Sequence, residues 1–431
     1  MTAAAATAHA GGPTVAEQAA AGARLPRFAM LCVQLLALLG VLHLYEIETP
    51  FFTRLAAFAF AGFGIAFWLT PARRVVFTIA WSLAAAALFL GPLLTALLLA
   101  AGAPFFLIAR VPFAGWRVRI ALALAYGIGL TALRAPGIPG IPDAFWPLCG
   151  AIFMFRAIVY LYDARFAKSP PRLLDFLGYF YLLPNLYFLL FPVVDHQTYL
   201  VSRERRPIDE CAQTGIRWIA RGALQLVLYR IVDEYRPDPV TATTVGSVLG
   251  YAILTYLLYL RVSGQFHIAV GMLRLYGLDL PETHRRYLLA SSIADFWRRI
   301  NIYWKDFIAK IFYMPVFFRL RRSGEARAAA IATIVAFLAT WAFHSYQWYW
   351  LTGSWLLSWP DTLFWAILGI VMVHATGRET TARGRRPKPT RVRQALSVLG
   401  TLAFIVALWS LWNAPDLEAW INLVSLRGGV S

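Results

Sequence analysis

The sequence predicts an all-α fold: a polytopic bundle of about ten to twelve transmembrane helices, with re-entrant or amphipathic helices around a central channel. Three observations carry this. The 431-residue chain is 59% hydrophobic and only 14% charged, with a mean hydropathy of +0.59, whereas a soluble domain carries about 25% charge. Apolar segments long enough to cross, or nearly cross, a bilayer recur along its whole length. Its net charge of +18 comes from short basic runs between those segments, the pattern of positive cytoplasmic loops and not of a nucleic-acid-binding surface.

Residues 1–23 are rich in Ala, Gly and Thr and are expected to form a disordered tail. Apolar segments follow at 28–44, 55–70, 75–90, 92–109, 118–133, 144–162, 176–194, 215–232, 241–262, 327–350, 355–374 and 394–412. The first is long enough to remain as an anchor instead of being cleaved as a signal. Several are shorter than the usual ~20 residues, which implies tilt, local thinning or burial among neighbours. The chain divides into N-terminal membrane helices (24–172), a core (173–376), a basic loop (377–393) and a C-terminal helix and tail (394–431).

Arg24 and Arg27 precede the first segment, Arg73 and Arg74 follow the second, and Arg110, Arg117 and Arg119 follow the fourth. Arg165, Lys168 and Arg172 follow the sixth, while loops of the other parity carry Glu46 and Glu48 or almost no charge. That alternation predicts an integral multi-pass membrane protein with a cytoplasmic N-terminus. The cluster Arg378, Arg383, Arg385, Arg386, Lys388, Arg391 and Arg393 then falls on the cytoplasmic side, with Asp416 and Glu418 outside. In the middle of the chain Pro184 and Asn185 interrupt one segment, and from 263 to 318 no piece is a clean span. Such backbone at membrane depth must be buried in protein or line a cavity.

Cys32, Cys149 and Cys211 have no metal or redox spacing. No zinc or haem spacing, glycine-rich phosphate loop or nucleophile elbow is present, so no metal and no bound cofactor are expected. His43, His196, His267, His284 and His374, in loops or near segment ends, are expected to be structural or interfacial. No internal repeat is evident, which weakens an inverted-repeat transporter.

Two features remain. Taken as one helix at about 100° per residue, 295–312 places Arg298, Arg299, Lys305 and Lys310 in one arc and Phe296, Trp297, Ile300, Trp304 and Phe307 in the other. Asn301 lies at the edge of the apolar arc, where an unpartnered amide costs roughly 2 kcal/mol or more. In segment 327–350, Thr333, Thr340, His344 and Gln347 form one narrow polar stripe, which faces a protein interior or a wet path and not lipid. Kept neutral by apolar surroundings, His344 could take a proton from a hydroxyl, help worth about 10²–10⁴ in rate. Its plain alternative is a packed histidine hydrogen-bonded to a neighbouring helix.

The run Phe296-Trp297-Arg298-Arg299-Ile300-Asn301, followed by His344 in Thr340-Trp341-Ala342-Phe343-His344-Ser345, resembles the membrane-bound O-acyltransferase family. The likeness is to its bacterial branch of alginate O-acetyltransferases and the teichoic-acid D-alanyl transfer protein. That branch has Phe-Trp-Arg-Arg-Trp-His and then Trp-His-Gly. Here Ile300 and Asn301 replace Trp-His, and Phe343 and Ser345 flank the histidine; Leu189-Leu190-Phe191-Pro192 is a looser match to the family's Phe-Phe-Pro segment. Asn at the position of Asn301 is what the sterol and diacylglycerol branches show.

The resemblance covers about 173–376 and implies O-acyl transfer from an acyl thioester co-substrate, such as acyl-CoA, to a hydroxyl of an extracytoplasmic glycan or a lipid, aided by a secreted acyl-transfer partner protein. It makes His344 the general base and Asn301 a catalytic hydrogen-bonding group. Trp297, Arg298, Arg299, Trp304, Lys305, Thr340 and Gln347 become candidates for the donor or substrate channel. A basic face of Arg298, Arg299, Lys305 and Lys310 suits a phosphate-bearing donor or, more plainly, lipid headgroups. The alternatives are a transporter or flippase for a lipid-linked or anionic solute and a non-catalytic scaffold.

Overall fold

The computed structural model describes residues 15–427 apart from 112–114, 136, 168, 191–192, 204 and 382–389. The described chain is helical throughout its ordered elements, and its only isolated β-bridge joins Arg203 and Leu278. Nine helical stretches among the described residues are long and apolar enough to cross a membrane. Adding the shorter apolar helix Pro50–Ala66 and the more polar helix Ile208–Glu234 gives eleven, within the expected ten to twelve. Phe191, Pro192, Arg383, Arg385, Arg386 and Lys388, and residues 1–14 of the expected tail, lie outside the described residues. Residues 15–23 continue the first span as part of helix Val15–Leu44.

Local chemistry sets the first helix boundaries. Pro50–Ala66, Pro71–Leu90 and Pro92–Arg110 each begin with proline, whose missing N–H and fixed φ suit the first turn. Thr49 caps the first of them by accepting from the Phe52 N–H at 3.3 Å. Between the other two, the chain reverses at Gly91, whose φ of 88° favours glycine.

Segment 176–194 is not one span. It forms two short buried helices, Leu173–Phe180 and Leu183–Tyr187. The break is stabilised from within: Asn185 donates to the carbonyls of Tyr179 (3.1 Å) and Phe180 (3.0 Å) and accepts from the buried Arg156 guanidinium at 3.0 Å. Broken backbone survives at membrane depth only with such internal partners.

The run 295–312 is not one helix either. Helix Ile293–Arg299 ends at Ile300 in an extended conformation, and Asn301 takes a left-handed φ of 37° before helix Ile302–Ile308 begins. Arg285 N–H donates to Arg299 O at 2.9 Å and Ile302 N–H to Thr283 O at 2.8 Å, so an incoming segment replaces the helical bonds. A single helical wheel therefore misassigns the faces beyond Ile300. A π-helical turn, Ala309–Tyr313, follows.

Three larger apolar cores result, beside a small cluster of Ala242, Tyr251 and Leu423. The largest joins the N-terminal helices to 145–188 and to the pair Ile208–Glu234 and Tyr259–Leu275. A second gathers Phe296, Phe337, Phe364, Trp365 and Leu408. The third, with Phe155, Val159, Phe307 and Ile308, lies against Trp304 and Phe343.

Candidate functional site

His344 sits where the second and third cores meet. Its helix, Glu325–Thr352, is fixed at one end by Tyr349, whose hydroxyl donates to Thr131 O at 2.8 Å, and by Tyr346, hydrogen-bonded to the Thr131 hydroxyl at 2.6 Å. The partly buried imidazole lies 5.7 Å from the Trp304 ring, 4.9 Å from Trp365 and 5.9 Å from Trp412. Three tryptophans from three different elements thus enclose it. Among the described residues it has no hydrogen-bond partner, and the buried indole nitrogen of Trp304 makes no hydrogen bond either.

Asp361 supports this cage, although nothing in the sequence reading singled it out. Only 1% exposed, it accepts from the indole N–H groups of Trp341 (2.8 Å) and Trp412 (2.7 Å). One carboxylate therefore ties together the His344 helix, helix Trp359–Thr381 and helix Arg391–Trp412. The available signal was an acid in an otherwise apolar stretch, since such residues face the bundle interior. Trp365 and Trp412 carried no comparable signal, being two of 16 tryptophans.

The remaining expected residues divide. Trp304 is brought to His344; Trp297 is not, and instead packs on Phe337 at 4.8 Å. Thr340 and Thr333 are buried, but each hydroxyl donates to its own helix, to Ala336 O and Ala329 O at 2.8 Å, so the stripe is largely self-satisfied. Gln347 is partly buried one turn beyond the histidine. Arg299 is paired with Asp295 at 2.8 Å and Lys305 with Asp306 at 2.7 Å, while Arg298 is exposed. Asn301 caps helix Ile302–Ile308: its side-chain oxygen accepts from the Trp304 N–H at 3.3 Å. It thereby orients the residue whose indole meets the imidazole.

Two buried polar groupings outside the cage were also missed. Lys310 leaves its expected basic face: it bonds Asp163 at 2.6 Å and also Asp195, with His196 3.7 Å from Asp163. Burial opposes the charge on Lys310, but the bonds to Asp163 and Asp195 carry its pKa above the ordinary value. Burial likewise works against the Asp195 carboxylate, and the bonds from Lys310 and Thr198 outweigh it and lower its pKa. His284, expected in a charged loop, is 2% exposed and bonds the Tyr259 hydroxyl (2.9 Å) and the Thr283 hydroxyl (3.1 Å). Burial first, and neighbouring His267 second, hold its pKa well below 6.5.

No protein-family model matches this chain, and no curated protein matches it at a significant level.

Proposed function

We propose that this multi-pass protein is an O-acyltransferase of the membrane-bound O-acyltransferase type, with His344 as general base. One observation carries the reading: His344 presents an imidazole that no protein group occupies, inside a tryptophan-walled site at the seam of two cores. A histidine serving only as packing glue would be hydrogen-bonded to a neighbouring helix. The motif that carries the family resemblance contributes Trp304 to that site, by way of the helix that Asn301 caps.

In this reading an acyl thioester enters from the cytoplasmic end and a glycan or lipid hydroxyl meets it at the cage. His344 takes the hydroxyl proton as the oxygen attacks the thioester carbonyl, the tetrahedral adduct collapses, and the thiol leaves with a proton. Asn301 has an amide N–H₂ to offer the developing oxyanion, and the Trp304 indole N–H is a second donor without a protein partner. Expulsion of water by the aromatic walls strengthens both interactions.

The test supplies purified protein with radiolabelled acetyl-CoA and candidate glycan and lipid acceptors. We expect His344→Ala to lower transfer by about 10²–10⁴ while the fold and melting temperature hold. Undiminished transfer in that variant would remove His344 as the base. Solute movement across vesicles without thioester consumption would favour a transporter instead.

A further inference from the structure

We propose a second ligand site, separate from the His344 cage: a basin of arginines that takes a phosphate-bearing anion. Its cavity of about 680 Å³ is lined by Arg24, Arg27, Arg74, Arg205, Arg206 and Asp209, within the ~300–1,000 Å³ usual for small-molecule sites. Its lining shares no residue with the tryptophan rings around His344.

Charge in the basin is lopsided. Among the described lining residues five guanidiniums face one carboxylate, Asp209, which already accepts from Arg27 at 2.7 Å. Arg205 and Arg206 share Asp279 at 4.0 and 3.2 Å, but that buried carboxylate is also held by Arg274 at 2.6 Å. Arg27, Arg205 and Arg206 keep side-chain exposures of 64%, 64% and 55%, so they can reach into the cavity. Arg24 and Arg74 are anchored to backbone carbonyls of Phe67, Ala66 and Leu69, which sets a fixed positive floor.

Backbone dipoles add to this. Pro71 and Pro207–Ile208 also border the cavity, and they begin the 20-residue helix Pro71–Leu90 and the 27-residue helix Ile208–Glu234, neither of which has a side-chain cap. Two long helices thus point their positive ends at one cavity. Guanidiniums with helix N-termini recognise phosphate oxygens, whether of a lipid headgroup or of a soluble phosphate ester.

Isothermal titration of the full-length protein in neutral detergent with inorganic pyrophosphate tests the site, followed by repetition in nanodiscs of phosphatidylcholine with or without phosphatidylglycerol. We expect saturable pyrophosphate binding, weakened about tenfold or more in the Arg205→Gln/Arg206→Gln double variant and unchanged in Arg322→Gln, an exposed arginine elsewhere. Competition by phosphatidylglycerol identifies a lipid headgroup as the source; binding indifferent to that lipid identifies a soluble phosphate ester. Size-exclusion profiles and melting curves check folding, and Arg27→Gln replaces the double variant if it misfolds. His344→Ala should bind pyrophosphate normally, which separates this site from the acyl-transfer reading. Absence of binding to either probe, or equal binding by the arginine variants, overturns the proposal.

Discussion

Asn301 shows how one residue can serve a fold and a site together. Its left-handed φ of 37° is a conformation that asparagine tolerates and most other residues resist, and its side chain caps the next helix. Asn301→Gly keeps the φ and loses the cap, so it should cost only a few tenths of a kcal/mol, whereas Asn301→Ala loses both and should cost about 1 kcal/mol or more. Thermal unfolding in detergent compares them, and equal losses would argue against backbone strain. His284 provides a pH prediction. It lies among Tyr259, Phe266, His267 and Tyr287, with a folded-state pKa below the ordinary 6.5. Below about pH 6.5 the unfolded chain takes up a proton that folded His284 refuses, so its stability contribution is full above that pH and declines as acid is added. The melting temperature should drop between about pH 7.5 and 5, less steeply in His284→Gln. Parallel profiles would assign the proton uptake to another group.

At the scale of elements, two close fits hold the bundle. Helices Ile208–Glu234 and Tyr259–Leu275 meet through paired glycines: a Cβ on Gly222 would come within 2.5 Å of Gly264 O, and one on Gly215 within 2.6 Å of Gly271 O. Such small-residue seams let backbones approach where lipid removes the hydrophobic drive. Gly222→Ala should therefore destabilise by about 1–3 kcal/mol. Gly40→Ala, where a Cβ meets nothing within 4 Å, should stabilise its helix by about 0.5–1 kcal/mol. The same sign for both in denaturation assays would contradict this packing. The second fit is the π turn, whose Lys310 neutralises Asp163 and Asp195 from two other elements. Lys310→Met leaves both carboxylates without it, a loss of about 3 kcal/mol, and adding Asp163→Asn should recover part. Full stability in Lys310→Met would show the cluster to be incidental.

At the scale of the molecule, basic residues far apart in sequence, Arg24, Arg27, Arg74, Arg205 and Arg206, converge on one cavity. Arg24 donates to Phe67 O at 3.2 Å and Arg27 meets Asp209 at 2.7 Å, so the start of the first span, the end of Pro50–Ala66 and the start of Ile208–Glu234 share one end of the bundle. The loop charges predict a cytoplasmic location for that end, in which case a reporter fused after Asn413 should be extracytoplasmic; a cytoplasmic signal would invert the topology. Composition and apolar periodicity sufficed for the class of fold and most spans, because burying 20-residue apolar stretches in lipid is a local property of each stretch. His344 was legible too, as an ionisable group amid apolar residues. Asp361, the three-tryptophan cage, the Lys310 cluster and the arginine basin were not, since each joins residues far apart in sequence. The break at Ile300–Asn301 was hidden for a similar reason: its backbone bonds go to Thr283 and Arg285, outside the run itself. The sequence by itself thus determined which segments leave water, a matter of each segment's own hydropathy. Only the tertiary structure decided which polar groups within them find partners and which, like the buried Trp304 indole N–H, find none among the described residues.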